Sequence, residues 1–247
     1  MHRVGVVLSW GCACLLLLHY AKSSSVWNAL LQGAAQASGR PAHGYVIALQ
    51  EAGWLLLSEY VWWGFCHFLA FFLLPCLCIR YVLRERVCDY GLHWNAVWQH
   101  RGRYGALLAL IVCLVALASW DEGFVRHYPF YRLASRSWLD FGLWSLIYAS
   151  QFVFLEFFFR GFLLQALRPA LGANAILVMC LPYMMIHLPK LPLEAVGAMV
   201  FGLFLGMLAI LSRSIWGGVL VHVGVALSMD VASLWRQQAL PSKFWPF

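Results

Sequence analysis

The chain has 247 residues, 63% of them hydrophobic and only 11% charged, with a mean hydropathy of +0.74. A soluble domain of this length is nearer half apolar and a quarter charged, so an ordinary water-soluble core is excluded and an integral membrane protein is indicated. The formal charge of +7 sits between apolar runs. It reads as a topological signal and as contact with the headgroups of the lipid bilayer, not as a nucleic-acid surface. No nucleic acid is expected as a partner, since zinc knuckles, glycine-rich phosphate loops and basic-aromatic strands are missing. The eight cysteines include no Cys-x-x-Cys pair and lie mostly in or beside apolar runs, which favours small buried side chains over a disulfide framework or a zinc site.

Residues 4–20 follow Arg3 and are almost wholly apolar. Ala21-Lys22-Ser23 is a poor cleavage site, so an uncleaved first helix is expected. Residues 42–57 carry Gln50 and Glu51 and form either an interfacial helix or a poor span. Residues 58–82 are a strong span holding His67, with a kink expected at Pro75. Residues 83–103 are basic and rich in Trp, as befits a surface-lying segment. Residues 104–119 form the next span, and residues 120–137 a second polar loop. From Trp138 to Leu167 runs one helix of about 45 Å, more than a hydrocarbon core of roughly 30 Å requires, so it must tilt, protrude or break. Arg168-Pro169 is expected to end it. Spans at 172–188, 191–211 and 214–235 follow.

The fold class is all-α, a polytopic membrane protein of seven transmembrane helices, or eight if residues 42–57 cross. It divides into N-terminal helices and loops (1–137), a chemically informative helical core (138–235) and a short tail (236–247). Arg80, Arg84, Arg86, Arg101 and Arg103 argue for a cytoplasmic loop over 80–103. The 168–172 and 212–214 turns are expected on that same side. Oligomeric state is not legible.

Ionisable groups inside the hydrocarbon cost several kcal/mol unless paired or facing a cavity, so each needs a reason. Glu156 and Arg160 stand at i and i+4, on one helix face. The pair serves either helix packing or chemistry. His187 lies near the end of its span with Tyr183 one turn before it. His222 lies well inside the last span, and Asp230 two turns later falls on the same side of the helix. Counted from the turns at 168–172 and 212–214, Glu156, His187 and His222 lie about 18, 22 and 12 Å deep. A shared mid-membrane depth favours one polar cavity. Two chemistries suit it. In one, the carboxylate is a general base that activates water, Arg160 holds it, and the histidines stabilise the oxyanion or protonate the leaving amine. In the other, Glu156, His187 and His222 bind a metal that activates the water. No His-Glu-x-x-His pair supports the metal, so no cofactor is the favoured expectation.

The blocks LEFFFRGFL, YMMIHLPK and SIWGGVLVHVGVA, in this order and spacing, resemble the CAAX-protease and bacteriocin-processing family, also called CPBP or Abi. The resemblance covers about residues 140–230. It implies about eight membrane helices and a glutamic-type intramembrane endopeptidase acting on a membrane-anchored protein or peptide, with a bacterial inner membrane as the expected location. Carried over, Glu156 and Arg160 match the first motif and His187 the second, with Tyr183 where the family usually has Phe. His222 matches the third. Two positions depart from the pattern. Leu155 stands where the family usually has the first of two glutamates, commonly assigned as the base. Ala226 stands where the third motif usually has Asn or Asp, a loss that Asp230 or Ser228 either offsets or does not. The runner-up is an inactive relative acting as a membrane peptide-binding, toxin-immunity or assembly protein. A small transporter would show matched inverted repeats, and none is visible.

Overall fold

The computed structural model describes residues 2–247. Among these the regular structure is helical, with a single isolated bridge between Leu92 and Ser214 in place of any strand. In chain order the helices are α1 (His2–Ala21), α2 (Ser24–Ala37), α3 (Gly44–Glu51), α4 (Leu55–Val82), α5 (Asn95–Gln99), α6 (Arg101–Ala118), α7 (Glu122–His127), α8 (Trp138–Leu171), α9 (Asn174–Met185), α10 (Pro192–Ser212) and α11 (Trp216–Arg236). Six of them, α1, α4, α6, α8, α10 and α11, are long and apolar enough to cross a membrane. The protein is an integral membrane protein.

Two expected spans come out differently. Residues 42–57 are not one helix: α3 is eight residues, about 12 Å, and the chain turns at Gly53 (φ +69°) before α4 begins. Residues 172–188 yield only the 12-residue α9, about 18 Å long, which is too short to cross. Hydropathy continues past Met185, but the helix gives way to a turn over residues 186–189. The count of long spans is therefore six, with α9 as a shorter apolar helix beside them.

Helix α8 is the axis of the molecule. Its start is fixed by Ser137, whose hydroxyl accepts the backbone N–H of Asp140 and donates to the Asp140 carboxylate. Pro169 does not end it. Proline removes one donor, but the helix runs on to Leu171 and stops at Gly172, which takes φ +57°. At 34 residues it is about 51 Å long. Midway, Phe157–Leu163 widens into a π-helical turn, a feature often found at functional sites. Two similar turns, Leu69–Leu73 and Cys78–Val82, flank Pro75 in α4.

Lipid is as apolar as the helices, so these helices associate through close packing and internal hydrogen bonds. Phe157, Phe158, Phe159 and Phe162 are fully buried, and Phe158 stacks on Phe71 of α4 at 4.3 Å between ring centres. One end of the bundle is laced together by polar contacts. Arg3 donates to the Ala166 carbonyl and doubly to Glu85, and Trp94 stacks on Trp216 at 4.5 Å. Ile215 donates to the Gly91 carbonyl. These contacts bring the start of α1, the 83–94 segment, the end of α8 and the 212–216 turn to one membrane face.

Candidate active site

Glu156 is the last residue before the π-turn of α8, and Arg160 lies within that turn. Arg160 Nη1 donates to Glu156 Oε1 at 3.0 Å. The same oxygen accepts from His222 Nδ1 of α11 at 2.6 Å. His222 Nε2 lies 2.9 Å from the hydroxyl of Tyr183, contributed by α9. The Arg160 guanidinium sits 4.2 Å over the Tyr183 ring. Four side chains from three helices thus form one connected network. Glu156, Arg160 and Tyr183 are fully buried, and His222 retains 7% of its surface.

The walls of the network are aromatic. Phe152 stacks on the His222 ring at 5.3 Å, Phe201 meets its edge at 4.9 Å, and Phe159 meets the edge of Tyr183 at 5.3 Å. A carboxylate and a guanidinium in such surroundings are tolerated because each neutralises the other. Their hydrogen bonding is nevertheless incomplete. Glu156 Oε2 and Arg160 Nε and Nη2 are buried without a protein partner. A carboxylate oxygen with free lone pairs beside unspent guanidinium donors is an arrangement suited to water or to a peptide carbonyl.

Gly218 determines where that free oxygen sits. A Cβ at position 218 would collide with Oε2 and lie 2.8 Å from the carboxylate carbon. Only glycine leaves room for the carboxylate against α11. In the sequence Gly218 stands only as a residue of the third block, four before His222, with no role given to it.

The other expected residues lie apart. His187 is half-buried just beyond the end of α9. Its Nδ1 donates to the Tyr183 carbonyl at 2.8 Å, and its ring centre is 4.7 Å from that of Tyr183. It touches the network through Tyr183 and bonds neither Glu156 nor His222. Asp230 is fully buried in a separate setting, accepting from Trp144 Nε1 at 2.7 Å, with Oδ1 unpartnered. Leu155 faces the aromatic and aliphatic core, and Ala226 packs with Trp144, Tyr148 and Phe152. Neither position contributes a polar atom. Among the described residues no three His, Cys, Asp or Glu side chains converge as a metal site. Of the three side chains considered for a metal, His222 has both ring nitrogens hydrogen-bonded and His187 bonds the Tyr183 carbonyl.

Residues 141–228 match the family model for type II CAAX prenyl endopeptidases, Rce1-like. The match covers 88 of the 247 residues, so it is a similarity of this core to that family. The Rce1-like segment holds Glu156, Arg160, Tyr183, His187, Gly218 and His222, whereas Asp230 falls two residues beyond it. It also contains the whole of α9, together with most of α8 and the first part of α11, so all four side chains of the network lie in the matched segment. No curated protein and no solved structure matches the chain.

Proposed function

We propose that this protein is an intramembrane endopeptidase of the type II CAAX prenyl endopeptidase kind, cleaving a membrane-anchored or hydrophobic protein or peptide near its anchor. The observation that carries the reading is the buried Glu156–His222–Tyr183 chain with one carboxylate oxygen left free. Glu156 Oε2 takes a proton from water, and the water oxygen adds to the scissile carbonyl carbon. Arg160 and His222 hold Oε1, so the acceptor is Oε2. The free donors of Arg160 offer charge stabilisation to the developing oxyanion. As the C–N bond breaks, the proton held on Glu156 passes to the leaving nitrogen. His187, half-buried beside Tyr183, is the expected histidine that stands closest to the network without joining it. Each role is filled by a side chain of this protein, and the reading is metal-free.

The test is processing of co-expressed candidate substrates, lipidated tails and C-terminal sorting helices among them, by wild type, Glu156→Gln, His187→Ala and His222→Ala at matched expression. Release of a product by wild type and its loss in Glu156→Gln and His222→Ala supports the reading. Equal processing by Glu156→Gln sinks it and leaves a membrane peptide-binding or toxin-immunity protein on the same scaffold.

A further inference from the structure

We propose that Tyr183 is a positioning residue whose hydroxyl fixes the tautomer and the ring orientation of His222; the proposal rests on the peptidase reading only for its catalytic consequence. A carboxylate accepts and does not donate, so the 2.6 Å contact between Glu156 Oε1 and His222 Nδ1 requires the proton on Nδ1. In a neutral imidazole Nε2 is then an acceptor, and in this fold the group that faces it is the Tyr183 hydroxyl at 2.9 Å. The direction of each bond follows: Tyr183 donates to His222, and His222 donates to Glu156.

Among the described residues no other side chain hydrogen-bonds His222. Phe152 and Phe201 cover its face and edge, and one turn further along α11 stands Ala226. Without the hydroxyl, Nε2 would be a buried acceptor with no partner, and the ring would be free to exchange its proton or turn. Tyr183 itself has little freedom. Its ring is clamped between the Arg160 guanidinium and α10, where a Cβ on Gly202 would come within 2.8 Å of it. A fixed phenol therefore specifies a fixed imidazole, which specifies which oxygen of Glu156 stays free.

The test is Tyr183→Phe, which removes one oxygen and keeps the ring beneath Arg160. Full-length protein labelled with nitrogen-15 at histidine is reconstituted in lipid nanodiscs, and His222→Gln identifies the His222 signals by their loss. Wild type is expected to show a protonated Nδ1 and an unprotonated Nε2 at His222. In Tyr183→Phe that single pattern should give way to a mixture of tautomers. Turnover should fall ~10-fold with KM unchanged, the mark of a lost orienting contact. A single unchanged tautomer in Tyr183→Phe overturns the proposal. A tautomer change in a protein that processes no substrate upholds the positioning role and overturns the peptidase reading instead.

Discussion

At the scale of single residues, the fate of Glu156 depends on what replaces it. Glutamine keeps a single oxygen that can accept from both His222 and Arg160 but carries no charge, so Glu156→Gln is expected to lose activity and to be destabilised less than alanine, which removes the acceptor as well. Alanine leaves Arg160 as an unpaired buried charge, and breaking such a pair costs about 3–5 kcal/mol. Comparing thermal melts of the two variants in one detergent checks this; equal melting temperatures would show that the ion pair is not held as described. Gly218→Ala makes a second test from the opposite helix. The new methyl group must displace the carboxylate or push α11 aside, at about 1–3 kcal/mol. Processing should fall sharply while Gly224→Ala, which meets only the flexible end of Leu108, retains activity.

The same residues show what a sequence reveals and what it hides. Glu156, Arg160 and His222 are legible because each interrupts an apolar run, where a polar group is costly without a purpose. Depth counting along separate helices brought Glu156 and His222 to the same band, and they are bonded. It brought His187 there too, yet that side chain turns back to its own helix, because α9 stops before reaching it. The bond from Tyr183 to His222 was hidden, since it depends on the rotation of α9 against α11 and no pattern within either helix encodes it. The partner of Asp230 was hidden in the same way. The helix face of Asp230 was readable, but its partner Trp144 comes from a different helix.

At the scale of elements, α8 is positioned by close approaches more than by bulk. Gly161 lies against the segment before α5: a Cβ there would stand 2.8 Å from the Tyr90 carbonyl oxygen. Backbone cannot yield as a flexible side chain can. Gly161→Ala is therefore expected to cost about 1–3 kcal/mol and to loosen the 83–92 segment. Cysteine-free variants labelled at Arg84 and followed by spin-label mobility would report it; unaltered mobility and melting would refute it. The boundaries of α8 were partly legible. Ser137 and Asp140 advertise its start, but Pro169 marks no stop, because the helix carries proline within its last turns until Gly172 supplies the left-handed residue.

At the scale of the whole molecule, the bundle sorts its loops onto two faces. Residues 83–94, 168–172 and 212–216 share one face through the Arg3, Trp94 and Gly91 contacts. Impermeant thiol labels at Arg84→Cys, Gly172→Cys and Arg213→Cys in a cysteine-free chain should all react from one side, and at Lys243→Cys from the other. Labelling of the first three from different sides would break the fold. The same face also carries a pH-sensitive clasp. Hydrogen bonds from Arg3 hold the Glu85 carboxyl below the usual carboxylate range. A carboxyl lowered on folding stabilises above its unfolded value of about 4.3, and that contribution fades as pH falls through the lower folded value. Melts taken downward from pH 7 should lose stability in that acid window, and Arg3→Gln should flatten the loss. An identical acid profile in the variant would rule the clasp out.

The start of α8 has one more attachment. The backbone N–H groups of Trp138 and Leu139 donate to the carbonyls of Lys243 and Phe244. Those two carbonyls leave the ribosome only after α11 has been made. The first turn of the helix that carries Glu156 is therefore completed by residues that follow α11 in the sequence. A nascent chain arrested after Arg236 already holds every residue of the network, yet lacks this closure.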